Sequence, residues 1–522
     1  MIRRLALLGG VLLALAAIGL IAQSTKPSAS RATLAAGQAA TVTSVTRSCP
    51  PSAPGEGAAS ISMIAVPAQT ASPPSAGTAT AKTAAGSATV SSIPAAPAAP
   101  ATPAATKTAT GKATASGTPT PSSSTTAKGA STAAASAPVT VAVPGAASTV
   151  TAPGGNAGAA ALVSASGRMA AGFEAEQANS AGTGLVSCSH PGSDMWFVGS
   201  GEPDVWLYLT NSGTAEASVD LTILTDTGQQ NGLANAITVA PNQVVAENVS
   251  PYVHGAQAVA LHVQTSSGQI AASVWEGSSA GTGAWLPQAA APSTTVVIPG
   301  LTVASSSARL FMTVPGAANA KVKVVAYTPA GPDTQFDSGS VPVQASAAAT
   351  TPVTLSSLGA SAAGLELTSN VPIVAGVLVP GAGIGSFTAG AAPVTDQGVV
   401  AGNPATRGLT IGLLLTAPGR AATASVSVID SNGTVTAPAA LQNVTVAAGH
   451  TLAVAVPRPS GRQSFAIVLR PSSGSGPLYA TRVVTSGTGG LSAEVTSLLP
   501  VQSALTQITL PPVQNSYTAV LP

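Results

Sequence analysis

Three glycines, Gly213, Gly316 and Gly419, hold the same place in three copies of one strand pattern; 316 − 213 and 419 − 316 are both 103. Around them run LYLTNSGTAEASVDLTIL, LFMTVPGAANAKVKVVAY and LLLTAPGRAATASVSVID. A second strand pair recurs later in each copy, as VALHVQTSSGQIAASVW, GLELTSNVPIVAGVLV and SFAIVLRPSSGSGPLYATRVV. Within the first copy Val219, Leu221 and Ile223 alternate with Asp220 and Thr222, a period of two with one face buried. Asn211-Ser212-Gly213 is a turn joining two such strands, and Pro241-Asn242 marks another. Strands separated by about 8–12 residues without helical periodicity predict antiparallel sandwiches of immunoglobulin-like type, with a propeller as the alternative. No cysteine pair crosses each unit, so these are not true immunoglobulin domains. The expected units are 199–295, 296–398 and 399–522, joined near Val296 and Val399 and stacked as a semi-rigid rod.

The N-terminus predicts export. Arg3 and Arg4 precede an uncharged apolar run from Leu5 to Ala22. That length is at the lower edge for a membrane-spanning helix, and the basic end should stay cytoplasmic. Residues 1–22 therefore read as a signal-anchor helix with the bulk of the chain outside the membrane; a cleaved signal peptide and a secreted product is the alternative. Residues 23–40 read as a stalk.

An Ala/Ser/Thr/Pro-rich tract at 68–138 has no aromatic residue, and its only charges are Lys82, Lys107, Lys112 and Lys128. It cannot bury enough surface to offset its ordering entropy, so disorder is the expectation, although a piece such as ATVSSIP can still pair as a strand. The two cysteines, Cys49 and Cys188, allow one intramolecular bridge in an exported chain; two buried free thiols is the alternative. A bridge would make 41–67 and 139–198 one discontinuous β-domain, with the tract as its insertion.

The anchor, the segments RSCPP and SCSHPG, the phrase MWFVGSG, the repeated strand pairs and the VVIPG-like joins together resemble a family of actinobacterial exported proteins that carry a domain of unknown function. The resemblance implies an envelope location and no activity.

Only 7% of residues are charged, 19 basic against 17 acidic, and 3% are aromatic. This balance argues against nucleic acid as a partner. His190, His254, His262 and His450 are not spaced as metal ligands, and no Cys-x-x-Cys, phosphate loop or nucleophile elbow occurs. No metal or small-molecule cofactor is expected. Glu174 and Glu176, with Asp194, Glu202 and Asp204 near Trp196 and Trp206, make 174–206 the one stretch where a carbohydrate-active site could lie. Against this, Glu174 and Glu176 read as solvent-facing residues at a strand edge. Trp196, Phe197, Trp206 and Tyr208 are either a binding face or the core of a conventional unit. The function expected is a non-enzymatic, membrane-anchored envelope protein that scaffolds another envelope protein or binds wall polysaccharide. The alternative is a degenerate carbohydrate-active enzyme or wall-polysaccharide-binding protein with its site in 174–206.

Overall fold

The structure is a computed structural model that describes residues 38–67, 86–96, 137–153, 158–182, 184–230, 236–278, 282–302, 308–333, 342–355, 362–381, 383–459 and 464–510. The expected helix at 5–22, and most of the stalk and of the low-complexity tract, lie outside these residues. Two units form: Met1–Ala40 with Gln507–Pro522, and Thr41–Thr506. The described residues of the first, 38–40 and 507–510, pair as a two-stranded sheet.

The second unit is all β apart from a few short helical turns among the described residues. Its strands make four pairs of facing sheets with one shared strand order. In the second pair, Asp194–Gly199 lies beside Val259–Ser267, which lies beside Ala217–Thr225; the facing sheet runs Gln243–Asn248, Asp204–Asn211, Ala271–Gly277, Gly283–Leu286. The third pair (Ser293–Ala389) and the fourth (Gly398–Pro500) repeat this order. In the third, one long strand, Ala362–Val379, bends so that its two halves serve both sheets.

Each repeated glycine turn joins strands of opposite sheets and not two rungs of one ladder. Asn211 and Ala217 belong to facing sheets, as do Val314 and Ala320, and Ala417 and Ala422. The joins between pairs also fall earlier than expected, because Val296 and Val399 lie inside strands Ser293–Thr302 and Gly398–Pro404. Likewise Asp194–Gly199, expected in the cysteine-linked domain, opens the second pair.

That cysteine-linked domain is a fourth copy. Its sheets run Ser44–Cys49, Ala160–Ser166, Ser87–Ile93, Val139–Val141 and Ser148–Thr151, Ser60–Ala65, Phe173–Ala178, Leu185–Ser187, the same order as the others. The tract at 68–138 is therefore not an insertion throughout. Ser87–Ile93 is an interior strand whose Ala88, Val90 and Ile93 are buried, small and β-branched side chains that suit a sheet despite the surrounding composition. Cys49 and Cys188 are bonded across 139 residues, and Ser48 and Ser189 beside them exchange backbone hydrogen bonds of 2.7 and 2.8 Å.

The pairs do not string out as a rod. The Ala160–Ser166 sheet of the first packs on the Asp204–Asn211 sheet of the second through Ile93, Ala160, Tyr208, Trp275 and Trp285. In the same sense the second meets the third through Phe311, Val374 and Phe387, and the third meets the fourth through Leu414, Val483 and Leu498. The fourth then returns to the first: Val399, Ala401, Ile429 and Val468 pack on Ile64, Val66 and Ala147. Four like interfaces used head to tail thus close a ring, as heterologous contacts do when their rotation closes. The last strands of the pairs meet at its centre, where Leu185, Trp285, Ser386 and Leu498 line one cavity of about 130 Å³.

Candidate functional site

The interface between the first and fourth pairs, the seam of the ring, carries the chemistry. Register shows how. Leu207, Leu310 and Leu413 are equivalent by the 103-residue spacing, and opposite them stand Val274, Val377 and Arg482. All three partners are fully buried. A guanidinium thus occupies a core position that the other copies fill with valine. Burial pulls its pKa down, and the neighbouring Glu176 charge pushes it back up.

Its counter-ion comes from the other side of the seam. Glu176 lies on strand Phe173–Ala178, where Phe173 and Ala175 fill the core of the first pair. Opposite, strand Gly398–Pro404 has a register shift between Val400 and Asn403. At that irregularity Gly402 leaves room: a Cβ there would sit 3.3 Å from Glu176 Oε2 and 3.1 Å from Ser62 Cβ. The Gly402 amide donates to Glu176 Oε2 at 3.1 Å. Arg482 Nη1 donates to the same oxygen at 3.4 Å and to the Gly402 carbonyl at 2.9 Å. The Gln397 side chain donates to the Val66 carbonyl across the same seam. Burial raises the Glu176 carboxyl to about 7; the Arg482 charge lowers it, and Glu174 raises it again. Glu174 pairs with Arg47 at 3.6 Å, and burial pushes its pKa up.

Above this network lies a cleft of about 710 Å³. Ser60, Ser62, Thr149, Asn179 and Ser180 line it from the first pair, and Asn403, Thr406, Ser431 and Ser464 from the fourth. Ser62 Oγ shares hydrogen bonds with Thr149 Oγ1 at 3.0 Å and Ser464 Oγ at 3.5 Å. Among the described residues the lining holds no titratable side chain and no aromatic ring.

Several expectations are corrected here. Glu174 and Glu176 are not at a solvent-facing edge; both are buried, because each has an arginine to receive it. They do not face one another across an opening, and Asp194, Glu202 and Asp204 belong to the second pair, away from them. Asp194 pairs instead with His262 at 3.1 Å. The aromatic residues are not displayed as a face. Trp196 stacks on His262 at 3.8 Å within the cluster that joins the second pair to the third, and Phe197 is buried in that cluster. Tyr208 and the half-buried Trp206 join Trp275 and Trp285 against the first pair. Their partner is the neighbouring copy within the same chain.

Another carboxylate escaped the sequence reading. Glu276, fully buried, accepts from the Ser200 amide at 3.0 Å, the Ser200 hydroxyl at 2.9 Å and the Gly201 amide at 3.2 Å. Burial still raises it to about 7. Among the described residues no His, Cys, Asp or Glu cluster could hold a metal ion, and no helix is long and apolar enough to cross a membrane.

No curated protein and no solved structure matches the chain. The sequence model of one family of unknown function, DUF5719, matches residues 149–457, from the edge strand of the first sheet pair into the fourth. That is more than half of the 522 residues, so the chain belongs to the family of unknown function DUF5719.

Proposed function

We propose that this chain is a non-enzymatic binding scaffold of the cell envelope, exported and held at the membrane by its N-terminal apolar segment, with the seam cleft as its ligand seat. We read its sheet pairs as immunoglobulin-like sandwiches in which the terminal strands have changed places. The first strand lies beside the sixth and the seventh beside the second, whereas the immunoglobulin order sets the first beside the second. The observation that carries the reading is chemical. Among the described residues the cleft offers hydroxyls and amides but no acid, base or nucleophile–base pair, while the buried carboxylates of the seam are already engaged by arginines and backbone amides. A protein can bind with such a lining; acid–base catalysis needs a titratable group within reach of the substrate.

The actinobacterial and exported character rests on the resemblance of the cysteine segments and the N-terminal run described above. Protease shaving of intact cells, with tags at both ends, tests the location: the C-terminal tag should be lost and the N-terminal one protected. Turnover of a wall glycan that Glu174→Gln or Glu176→Gln abolishes would overturn the non-enzymatic reading and favour a degenerate carbohydrate-active enzyme.

A further inference from the structure

We infer that the seam cleft binds a neutral, polyhydroxylated ligand, a glycan chain without carboxylate, sulfate or phosphate groups. The inference rests on the reading of this cleft as a binding site and adds the class of ligand. At about 710 Å³ the cleft falls in the range of ligand sites, roughly 300–1,000 Å³. Among the described residues its polar side chains are all neutral, hydroxyls with the two amides Asn179 and Asn403. Ser62, Thr149, Ser180, Thr406 and Ser464 bring hydroxyls, each able to donate and accept. Such rotors match a ligand that presents hydroxyls in many directions.

Asn403 is a fixed, buried part of the wall. Its amide nitrogen donates to the Val400 carbonyl at 3.2 Å and the Phe465 carbonyl at 3.0 Å, which fixes the side chain's orientation. Its Oδ1, buried, receives no hydrogen bond among the described residues.

Charge decides against the other classes. An anionic ligand would be desolvated beside Glu176, and among the described residues the lining itself holds no cation to receive it: Arg47 and Arg482 face carboxylates and, in Arg482, the Gly402 carbonyl, while Arg458 at the rim donates to the Ala405 and Thr406 carbonyls at 3.2 and 2.6 Å. A peptide would need apolar pockets for its side chains, and the apolar lining is limited to alanines, Leu185 and Pro404. With no ring among the described lining residues to stack on, the affinity comes from hydrogen bonds alone and is weak.

One wall of the cleft belongs to the first sheet pair and the other to the fourth. A ligand spanning both must favour the closed seam by its differential affinity for that state.

The experiment uses the full-length protein and four neutral probes, maltohexaose, cellohexaose, mannohexaose and chitohexaose, with a neutral Ala/Ser/Thr peptide as comparison. Saturation-transfer NMR reads binding, and hydrogen exchange of 60–66 and 398–404 reads the seam. Ser180 and Thr406 are exposed at the rim, so Ser180→Trp and Thr406→Trp fill the mouth without touching the core. At a hundred times Kd the bound glycan should slow seam exchange about 100-fold, and both variants should remove this. Binding of a glycan that neither variant weakens would overturn the site. Binding of the peptide alone, blocked by the variants, would overturn the ligand class and leave the binding scaffold standing. Failure of all five probes would overturn the inference, and the shaving and turnover tests would still decide the scaffold reading.

Discussion

Removing Glu176 should open the seam of the ring. Arg482 is fully buried and has two partners, Glu176 Oε2 at 3.4 Å and the Gly402 carbonyl at 2.9 Å, while its Nε and Nη2 have none among the described residues. Glu176→Gln leaves that cation in a core with neutral acceptors only, and stranding a buried charge in this way costs about 3–5 kcal/mol. Arg482→Val behaves differently. It installs the residue found at the equivalent positions, Val274 and Val377, and the abandoned Glu176 can escape by taking a proton, since burial already holds it at about 7. The second change should therefore cost little at pH 5 and more at pH 8. The double change Glu176→Gln with Arg482→Val should lie within about 1 kcal/mol of the native chain, because an ion pair replaced by neutral groups loses its desolvation cost with its attraction. A coupling of roughly 3 kcal/mol follows, equivalent to about two orders of magnitude in opening. Tryptophan fluorescence is a poor assay, because Trp196, Trp206, Trp275 and Trp285 all lie in the second sheet pair. Hydrogen exchange of peptides spanning 60–66 and 398–404 reads the seam directly. If the two single penalties simply add in the double variant, the pair is not coupled and the reasoning fails.

Further outcomes follow from other sites. Glu276 is held at about 7 against an ordinary 4.5, first by burial and also by the Glu202 charge. A carboxyl raised on folding gives stability that is full below the unfolded value and lost as pH climbs through the folded one. The shift from 4.5 to about 7 is worth roughly 3 kcal/mol, so the melting temperature should fall between pH 5 and pH 8 and Glu276→Gln should flatten that slope. Cys49→Ser with Cys188→Ser releases a 139-residue loop and should cost about 4–5 kcal/mol in the loop-entropy model, seen as faster exchange of strand Ser44–Cys49; an unchanged melting curve would contradict this. Gly300→Ala would place a methyl 2.4 Å from Leu414 Cβ, wedging the third pair from the fourth. Overpacking of this kind costs about 1–3 kcal/mol, and native-like stability would show that the interface yields.

Repetition made the strand content legible, because glycine turns and alternating valines recur at a fixed interval. The fourth copy was hidden because residues 68–85 and 97–136 fall in the connections on either side of strand Ser87–Ile93 and stretch its spacing. Closure was not legible from periodicity, since a repeat specifies its neighbour in sequence and not the partner of the last copy. One signal was present all the same: aligning the copies by their glycines sets Arg482 against two valines, and a charge in a core column asks for a partner from elsewhere. Glu176 could not be assigned as that partner, because the room for it depends on the absent side chain of Gly402 and on a register shift in its strand. The aromatic residues misled by their clustering. In a chain of small side chains the few rings go where copies meet, and clustering in sequence then resembles a surface patch.

The seam also decides how this unit would bear tension. Its first and last residues are joined there, Val42 donating to the Thr506 carbonyl at 3.1 Å and Gly172 to the Leu505 carbonyl at 3.0 Å. A pull on the two ends would load these contacts one after another, as a zipper opens, and the Glu176–Arg482 pair behind them would resist next. Once the seam parts, force entering at Thr41 passes from Cys49 straight to Cys188, and the stretch between is shielded by a covalent short circuit. The first sheet pair would then outlast the closure it takes part in. Such a unit would yield at low force by opening its ring, exposing the facing walls of the seam while its sandwiches stay folded.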